Sequence, residues 1–162
     1  MGLVLTIRNR QKNRVVNTRL LRGVIRTLLV DCLQTTEADL GVFLVATADM
    51  TWLNETFLHH GGSTDVITFD YADPAPTNLQ AALHGEIFVC VDEAVAQARR
   101  FRSLWQAEVV RYVVHGTLHL LGYDDQHVKE RRQMKRMENK LCAGLAARFP
   151  LSRLAGNPRL RT

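Results

Sequence analysis

The chain has 162 residues, 46% of them hydrophobic, and a formal net charge of +5 at neutral pH. That length suits one domain with a real core, and no apolar run approaches the roughly 20 residues of a membrane span. Met1 to Ile7 followed by Arg8, Arg10, Lys12 and Arg14 puts apolar and charged segments in the wrong order for a secretory signal, so the expected location is cytoplasmic. Met1-Gly2-Leu3-Val4-Leu5-Thr6 matches the loose myristoylation pattern, but Leu3 to Ile7 reads better as a first strand.

In chain order, Thr18 is expected to cap a helix reaching Leu33, with Leu20, Leu21, Val24, Ile25, Leu28 and Leu29 on its apolar face. Arg19, Arg22 and Arg26 form a basic stripe opposite. Leu40 to Thr47 reads as a continuous apolar strand, Asp49 as the cap of a helix from Met50 to about Leu58, and His59-His60-Gly61-Gly62-Ser63 as a loop. Thr64 to Phe69 is a strand with a polar entry. Asp73-Pro74-Ala75-Pro76-Thr77-Asn78 is the clearest loop, leading to a fourth strand from Glu86 to Val91. Asp92 is expected to cap a helix through Arg102. A last helix from about Val128 to Ala147 carries Lys129, Arg131, Arg132, Lys135, Arg136 and Lys140, and Leu151 to Thr162 reads as a loose basic tail beyond one domain spanning 1–150. The expected fold is α+β, a small mixed sheet of about four strands packed with about five helices.

Charge is segregated along the chain. Residues 1–26 carry seven Lys/Arg and no acid, residues 27–98 eleven acids and no Lys/Arg, and residues 99–162 fourteen basic residues against five acids. If the two ends share a face, it attracts phosphate, with Arg19, Arg22, Arg26, Arg131, Arg132 and Arg136 as candidate RNA contacts; two solvated helices are the plain alternative. Cys32, Cys90 and Cys142 are odd in number, widely spaced and without a C-x-x-C, which suits buried thiols in a reducing compartment and no disulfide-linked partner.

The chemistry concentrates in His115-Gly116-Thr117-Leu118-His119-Leu120-Leu121-Gly122-Tyr123-Asp124-Asp125-Gln126-His127, after the apolar helical run Leu104 to Val114. At helical spacing His115 and His119 project from one face, close enough for both imidazoles to reach one metal ion. Gly122 stops the helix, and the turn back carries Asp124, Asp125 and His127, each able to supply a third ligand. The alternative is a pair of core histidines hydrogen-bonded to backbone or to Glu108. Zinc-protease helices place a general-base Glu directly after the first His; Gly116 stands there, which disfavours peptide hydrolysis.

His115-Gly-Thr-Leu-His119-Leu-Leu-Gly-Tyr-Asp resembles the signature of the YbeY family, the bacterial metal-dependent endoribonucleases of ribosomal RNA maturation. Leu53-Asn54, Thr64-Asp65-Val66-Ile67-Thr68-Phe69 and His84-Gly85-Glu86-Ile87 resemble further blocks of that family in the same order, so the likeness spans residues 1 to about 147. It implies one divalent ion, zinc above others, single-stranded RNA as substrate, and ribosomal RNA precursor with the small ribosomal subunit as partners, with no membrane. The family's third ligand is usually a His six residues after the second. Asp125 holds that position here and takes the role, with His127 as rival. An Arg that the family often carries four residues after the matched Asn is replaced by Leu58, which removes a guanidinium suited to two phosphate oxygens.

The expectation is a metal-dependent single-strand endoribonuclease acting in ribosomal RNA maturation and ribosome biogenesis. Its catalytic residues are unassigned beyond a metal-bound water as a candidate nucleophile and His59 and Asp65 as candidate side chains, and no general base is assigned. The rival reading is a non-catalytic RNA-binding assembly factor with a structural metal, and a more distant one is a metallohydrolase acting on small molecules or peptides.

Overall fold

A computed structural model describes residues 2–72 and 82–156. The expected loop at Asp73 to Asn78 lies outside the described residues. Four strands, β1 (Leu3–Asn9), β2 (Ala38–Val45), β3 (Val66–Asp70) and β4 (Leu83–Cys90), form one sheet in the order β1-β2-β4-β3. β1, β2 and β4 are parallel, and β3 runs antiparallel on the outer edge of β4 with Thr68 opposite Ile87. Five helices pack with it: α1 (Thr18–Thr27), α2 (Thr47–Phe57), α3 (Val91–Phe101), α4 (Trp105–Leu120) and α5 (Val128–Arg148). The architecture is the single-domain α+β arrangement expected from sequence.

Strand alternation sorts the core into two sides. Leu40, Val42 and Leu44 of β2 with Ile87 and Val89 of β4 face the larger core, where Leu21, Val24 and Ile25 of α1, Val110, Val113 and Val114 of α4 and Leu145 of α5 meet them. Phe43, Val45, Phe88 and Cys90 face the other way, under Met50 and Leu53 of α2. At Gly116 the metal-candidate helix touches the sheet: a Cβ there would lie 2.9 Å from Ile87 Cγ2 and 3.0 Å from Thr68 Cγ2. Close packing, rather than chemistry, excludes a larger residue after His115.

Several local expectations are corrected. The α1 cap is Asn17, whose side chain accepts from Leu20 N, not Thr18; after Thr27 the helix widens into a π turn over Leu28–Cys32. Asp49 lies in the first turn of α2 without capping it. The carboxylate of Asp92 does that work, accepting from Thr47 N at 2.8 Å and Thr47 Oγ1 at 2.9 Å, while α3 starts at Val91 without a side-chain cap. A cap supplied from 45 residues away carries no local sequence signal. Thr47 belongs to α2 rather than β2, Thr64 and Asp65 precede β3, and β4 begins at Leu83.

The chain past Pro150 is not loose as far as it is described. Leu151–Leu154 form a 3₁₀ turn with Leu151 and Leu154 buried, and Ala155 bridges to Val16, so the packed unit reaches at least Gly156. Cys32, Cys90 and Cys142 are free thiols. No helix among the described residues is long and apolar enough to cross a membrane.

Candidate metal centre

Three consecutive features of the chain build the site. α4 presents Arg111, His115 and His119 along one face at four-residue spacing. It ends in a Schellman closure, with Tyr123 N bonded to Leu118 O and Gly122 N to His119 O at 3.0 Å each, and Gly122 at φ +98°, a conformation that glycine adopts without strain. The turn then folds back over the histidines. Asp124 Oδ1 accepts from Gln126 N, and the Asp125 carbonyl accepts from Arg131 Nε at 3.1 Å.

The result is a convergence of donors. His115 Nε2 and His119 Nε2 stand 3.1 Å apart, and Asp125 Oδ2 lies 3.8 Å from the first and 3.4 Å from the second. Tetrahedral ligands at ~2.0–2.1 Å from a zinc-sized ion stand roughly 3.3 Å from one another, so the three atoms fit around one such ion. His115, His119 and Asp125 therefore form a potential metal site at the C-terminal end of α4. All three are half-buried.

The other ring nitrogens explain the tautomers. His115 Nδ1 donates to Glu138 Oε1 at 2.7 Å and His119 Nδ1 donates to the Tyr123 carbonyl at 3.1 Å. Both partners are pure acceptors, so both Nδ1 atoms carry the hydrogen and, in neutral rings, both Nε2 lone pairs face the shared space. Two lone pairs 3.1 Å apart repel unless a cation or a proton lies between them. The donor set, its spacing and its fixed orientation suit a divalent ion.

Glu138 is the member of the site that sequence reasoning misses. It is 3% exposed on the buried face of α5, among Met134, Leu141 and Leu145. A lone acid on that apolar stripe is the signal the sequence offers. Glu138 also accepts from Arg111 Nη1 at 2.8 Å and Lys135 Nζ at 3.2 Å. Burial pushes the Glu138 carboxyl up, but these bonds from His115, Arg111 and Lys135 outweigh it and bring the pKa to about 2. The hydrogen bond to Glu138 raises the His115 pKa above its ordinary value against the opposing effect of burial, with the charges of Glu138, Asp125 and Asp65 adding to it. Glu108, the alternative partner expected from sequence, does not bond either histidine.

The remaining candidates fall elsewhere. His127 is exposed at the N-cap of α5 and does not join the convergent group. His59 is exposed with φ +56°, the left-handed residue that closes α2, and His60 N bonds back to Asn54 O. Leu58 is exposed at the helix end. Asp65 Oδ1 accepts from Val66 N at 2.8 Å, the turn-capping role at the entrance to β3. It also lines a cleft of about 380 Å³ beside the metal centre with Tyr112, His115, Lys135 and Glu138.

The two basic stripes stand on separate helices. Val128, Lys129, Arg132, Lys135 and Arg136 line one shallow hollow on α5, next to the metal centre. Arg19, Arg22 and Arg26 are exposed on α1, where Arg22 Nη1 donates to the Leu5 carbonyl.

A family model described as Endoribonuclease YbeY matches residues 6–146. An Endoribonuclease YbeY of Syntrophotalea carbinolica is 30% identical over 151 residues, covering 92% of this chain and 99% of that protein. One from Salinibacter ruber is 32% identical over 139 residues, covering 84% and 88%. The solution structure of TM1509 from Thermotoga maritima matches with a TM-score of 0.66 and 22% identity over 98% of this chain and all of that one, a likeness of fold. With the family pattern matched from β1 to the end of α5 and its histidine pair gathered with Asp125 into one site, the chain belongs to the Endoribonuclease YbeY family.

Proposed function

We propose that this protein is a metal-dependent endoribonuclease that cuts single-stranded RNA during ribosomal RNA maturation in the cytoplasm, with the ribosomal RNA precursor and small ribosomal subunit as its partners. The supporting observation is the meeting of His115 Nε2, His119 Nε2 and Asp125 Oδ2 at 3.1–3.8 Å, each imidazole locked by a bond at Nδ1. These residues would hold one divalent ion, zinc being the best match to an N,N,O donor set. When bound, such an ion supplies Lewis acidity, lowering the pKa of water toward ~7 and offsetting charge on a phosphodiester.

The chain's own residues do the rest. Glu138 and the Tyr123 carbonyl fix the rings; Arg131 holds the turn that brings in Asp125. Lys129, Arg132, Lys135 and Arg136 draw the RNA backbone toward the site. They offer point and fork contacts to phosphate beside a centre where Leu58 supplies none. Asp65, at the cleft wall that also contains His115, is the better placed of the two catalytic candidates, since His59 does not line that cleft.

The test is cleavage of a ribosomal RNA precursor by protein carrying stoichiometric metal, compared with His115→Ala and chelator-treated protein. Cleavage abolished in both controls supports the reading. RNA affinity without turnover in the loaded protein would instead support the non-catalytic assembly factor, which the Leu58 position favours.

A further inference from the structure

The cleft beside the metal centre, about 380 Å³, is lined by residues of α3, α4 and α5 and has His115 in its wall. Its size falls at the lower end of the ~300–1,000 Å³ typical of ligand sites. Lys135 belongs both to this cleft and to the basic hollow of α5. A strand whose phosphates follow Lys129, Arg132 and Arg136 is therefore led past Lys135 to the wall that holds His115.

Three lining residues have unused binding capacity. The Arg111 guanidinium makes both of its bonds through Nη1, to Glu138 Oε2 and Asn139 Oδ1 at 2.8 Å each. Its Nη2 and Nε have no partner among the described residues, so the planar group is held one turn before His115 with N–H directions to spare. Phe101 ends α3, where Arg102 takes the left-handed conformation, and it is 68% exposed, leaving a flat ring free at the cleft. Tyr112 is only 5% exposed, and its buried hydroxyl has no hydrogen-bond partner among the described residues. Such orphaned groups are uncommon, and a ligand atom in the cleft can relieve this one. Burial, joined by the charges of Asp65 and Glu108, pushes the Tyr112 pKa up, so the hydroxyl keeps its proton and stays a donor.

The charge balance narrows the ligand. Glu138 is matched by His115, Arg111 and Lys135, but Asp65 and Glu108 also stand in the wall, Glu108 with only a 3.5 Å bond from Ser103 Oγ. These two acids repel a compact multivalent anion. A phosphodiester carries one charge, while ribose hydroxyls and base amino groups are donors that carboxylates accept. One nucleotide of RNA presents the anion, the donors and a flat ring together.

We propose that this cleft is a subsite for a single nucleotide of the RNA strand, with Arg111 gripping its phosphate and Phe101 packing against its base, next to the bond to be cut. The subsite rests on the ribonuclease reading above and deepens it by naming the residues that place the substrate. Stacking on Phe101 suits every base, so the subsite sets grip and register rather than sequence.

The test is a nuclear magnetic resonance titration of zinc-loaded protein with adenosine 3′-monophosphate, which has no internucleotide bond to be cut, against adenosine alone and inorganic phosphate alone. The Phe101 ring and Arg111 Nε–H signals should move to saturation with the nucleotide, which should bind more tightly than either part. Phe101→Ala should weaken nucleotide and adenosine alike by about tenfold. Arg111→Lys should weaken the nucleotide by about tenfold and leave adenosine unchanged, because a lysine keeps the charge beside Glu138 but loses the fork. It should also lower kcat/KM for precursor cleavage by a similar factor, with metal content and unfolding temperature held. If neither signal moves while the precursor is cut, or if both variants bind the nucleotide like wild type, the subsite is overturned and the nuclease reading stands. Loss of metal or of the fold in Arg111→Lys would make Arg111 a structural member of the Glu138 cluster and overturn its phosphate role. A parent protein that neither binds the nucleotide nor cuts RNA overturns both.

Discussion

Glu138 of α5 holds Nδ1 of His115 of α4 at 2.7 Å, so the last long helix is tied directly to a histidine of the potential metal site. The same carboxylate binds Arg111, one turn earlier on α4, and Lys135, a member of the basic face of α5. One buried acid thus couples the orientation of a ligand, the packing of two helices and a positively charged surface. Glu138→Gln keeps the shape but removes the charge that fixes the tautomer of His115. Metal affinity, measured by competition with a chromophoric chelator, should fall by roughly 10–100-fold, the usual effect of removing a ligand's supporting partner. Unchanged affinity would mean the α4–α5 contact is structural only.

The parts of this arrangement differ in how visible they are in sequence. The histidine pair and the glycine stop are local, written within one helix and its closure, and the turn that returns Asp125 follows at once. Short apolar runs bounded by polar or turn residues likewise mark β1 to β4, although their ends shift by up to three residues. What the chain conceals are the long-range partners. Asp92 caps a helix that starts 45 residues earlier, and Glu138 reaches His115 across 23 residues; no periodicity reports either pairing. Leu151 and Leu154 read as the start of a tail because a single 3₁₀ turn is too short to show a repeat.

The third ligand can be decided by comparing two neighbours. Asp125 Oδ2 approaches both Nε2 atoms, while His127 is exposed at the N-cap of α5. Elemental analysis of protein purified without chelator should find about one divalent ion per chain in wild type and His127→Ala, and a loss in Asp125→Ala, His115→Ala and His119→Ala. Full metal content in Asp125→Ala with loss in His127→Ala would reverse the assignment.

The Glu138 cluster gives the metal-free protein a defined pH window. The depressed Glu138 pKa, about 2, stabilises the fold fully above the ordinary carboxylate range, and that contribution disappears as pH falls through the folded value. It is worth on the order of 3 kcal/mol, shared among the cluster and counted once. The raised His115 pKa works oppositely: its stabilisation is present below the unfolded value of ~6.5 and is lost as pH rises through the folded one. Unfolding temperature in chelator should therefore peak at about pH 5–6 and decline on both sides, and Glu138→Gln should flatten both slopes. Metal uptake should run the other way on the alkaline side, strengthening as His115 gives up its proton. A wild-type profile indistinguishable from that of Glu138→Gln would show the cluster contributes nothing.

Two glycines should respond to alanine with opposite signs. At Gly85 the added Cβ would press within 2.7 Å of a backbone oxygen, that of Phe69, which cannot swing aside. Gly85→Ala should destabilise by about 1–3 kcal/mol through overpacking. Gly144 lies exposed in α5 with open space where a Cβ would stand, and Gly144→Ala should stabilise by roughly 0.5–1 kcal/mol through helix propensity alone. Urea titrations of the pair read both signs at once; a stabilising Gly85→Ala would mean the sheet does not hold α4 as closely as described.

The arginines of α5 divide into two kinds, and RNA binding should separate them. Arg132 and Arg136 line the exposed hollow, whereas Arg131 directs Nε at the Asp125 carbonyl. Arg132→Ala with Arg136→Ala should lower affinity for single-stranded RNA and reduce the slope of log affinity against log salt by about 1.4, near 0.7 for each phosphate left without its arginine. Metal content should stay at the wild-type level. Arg131→Ala should act on the site as well, loosening the turn that carries Asp125 and weakening metal affinity even without RNA. If the double variant leaves the salt slope unchanged, α5 carries its charge only as a solvated face, and the RNA path must run over another surface of the protein.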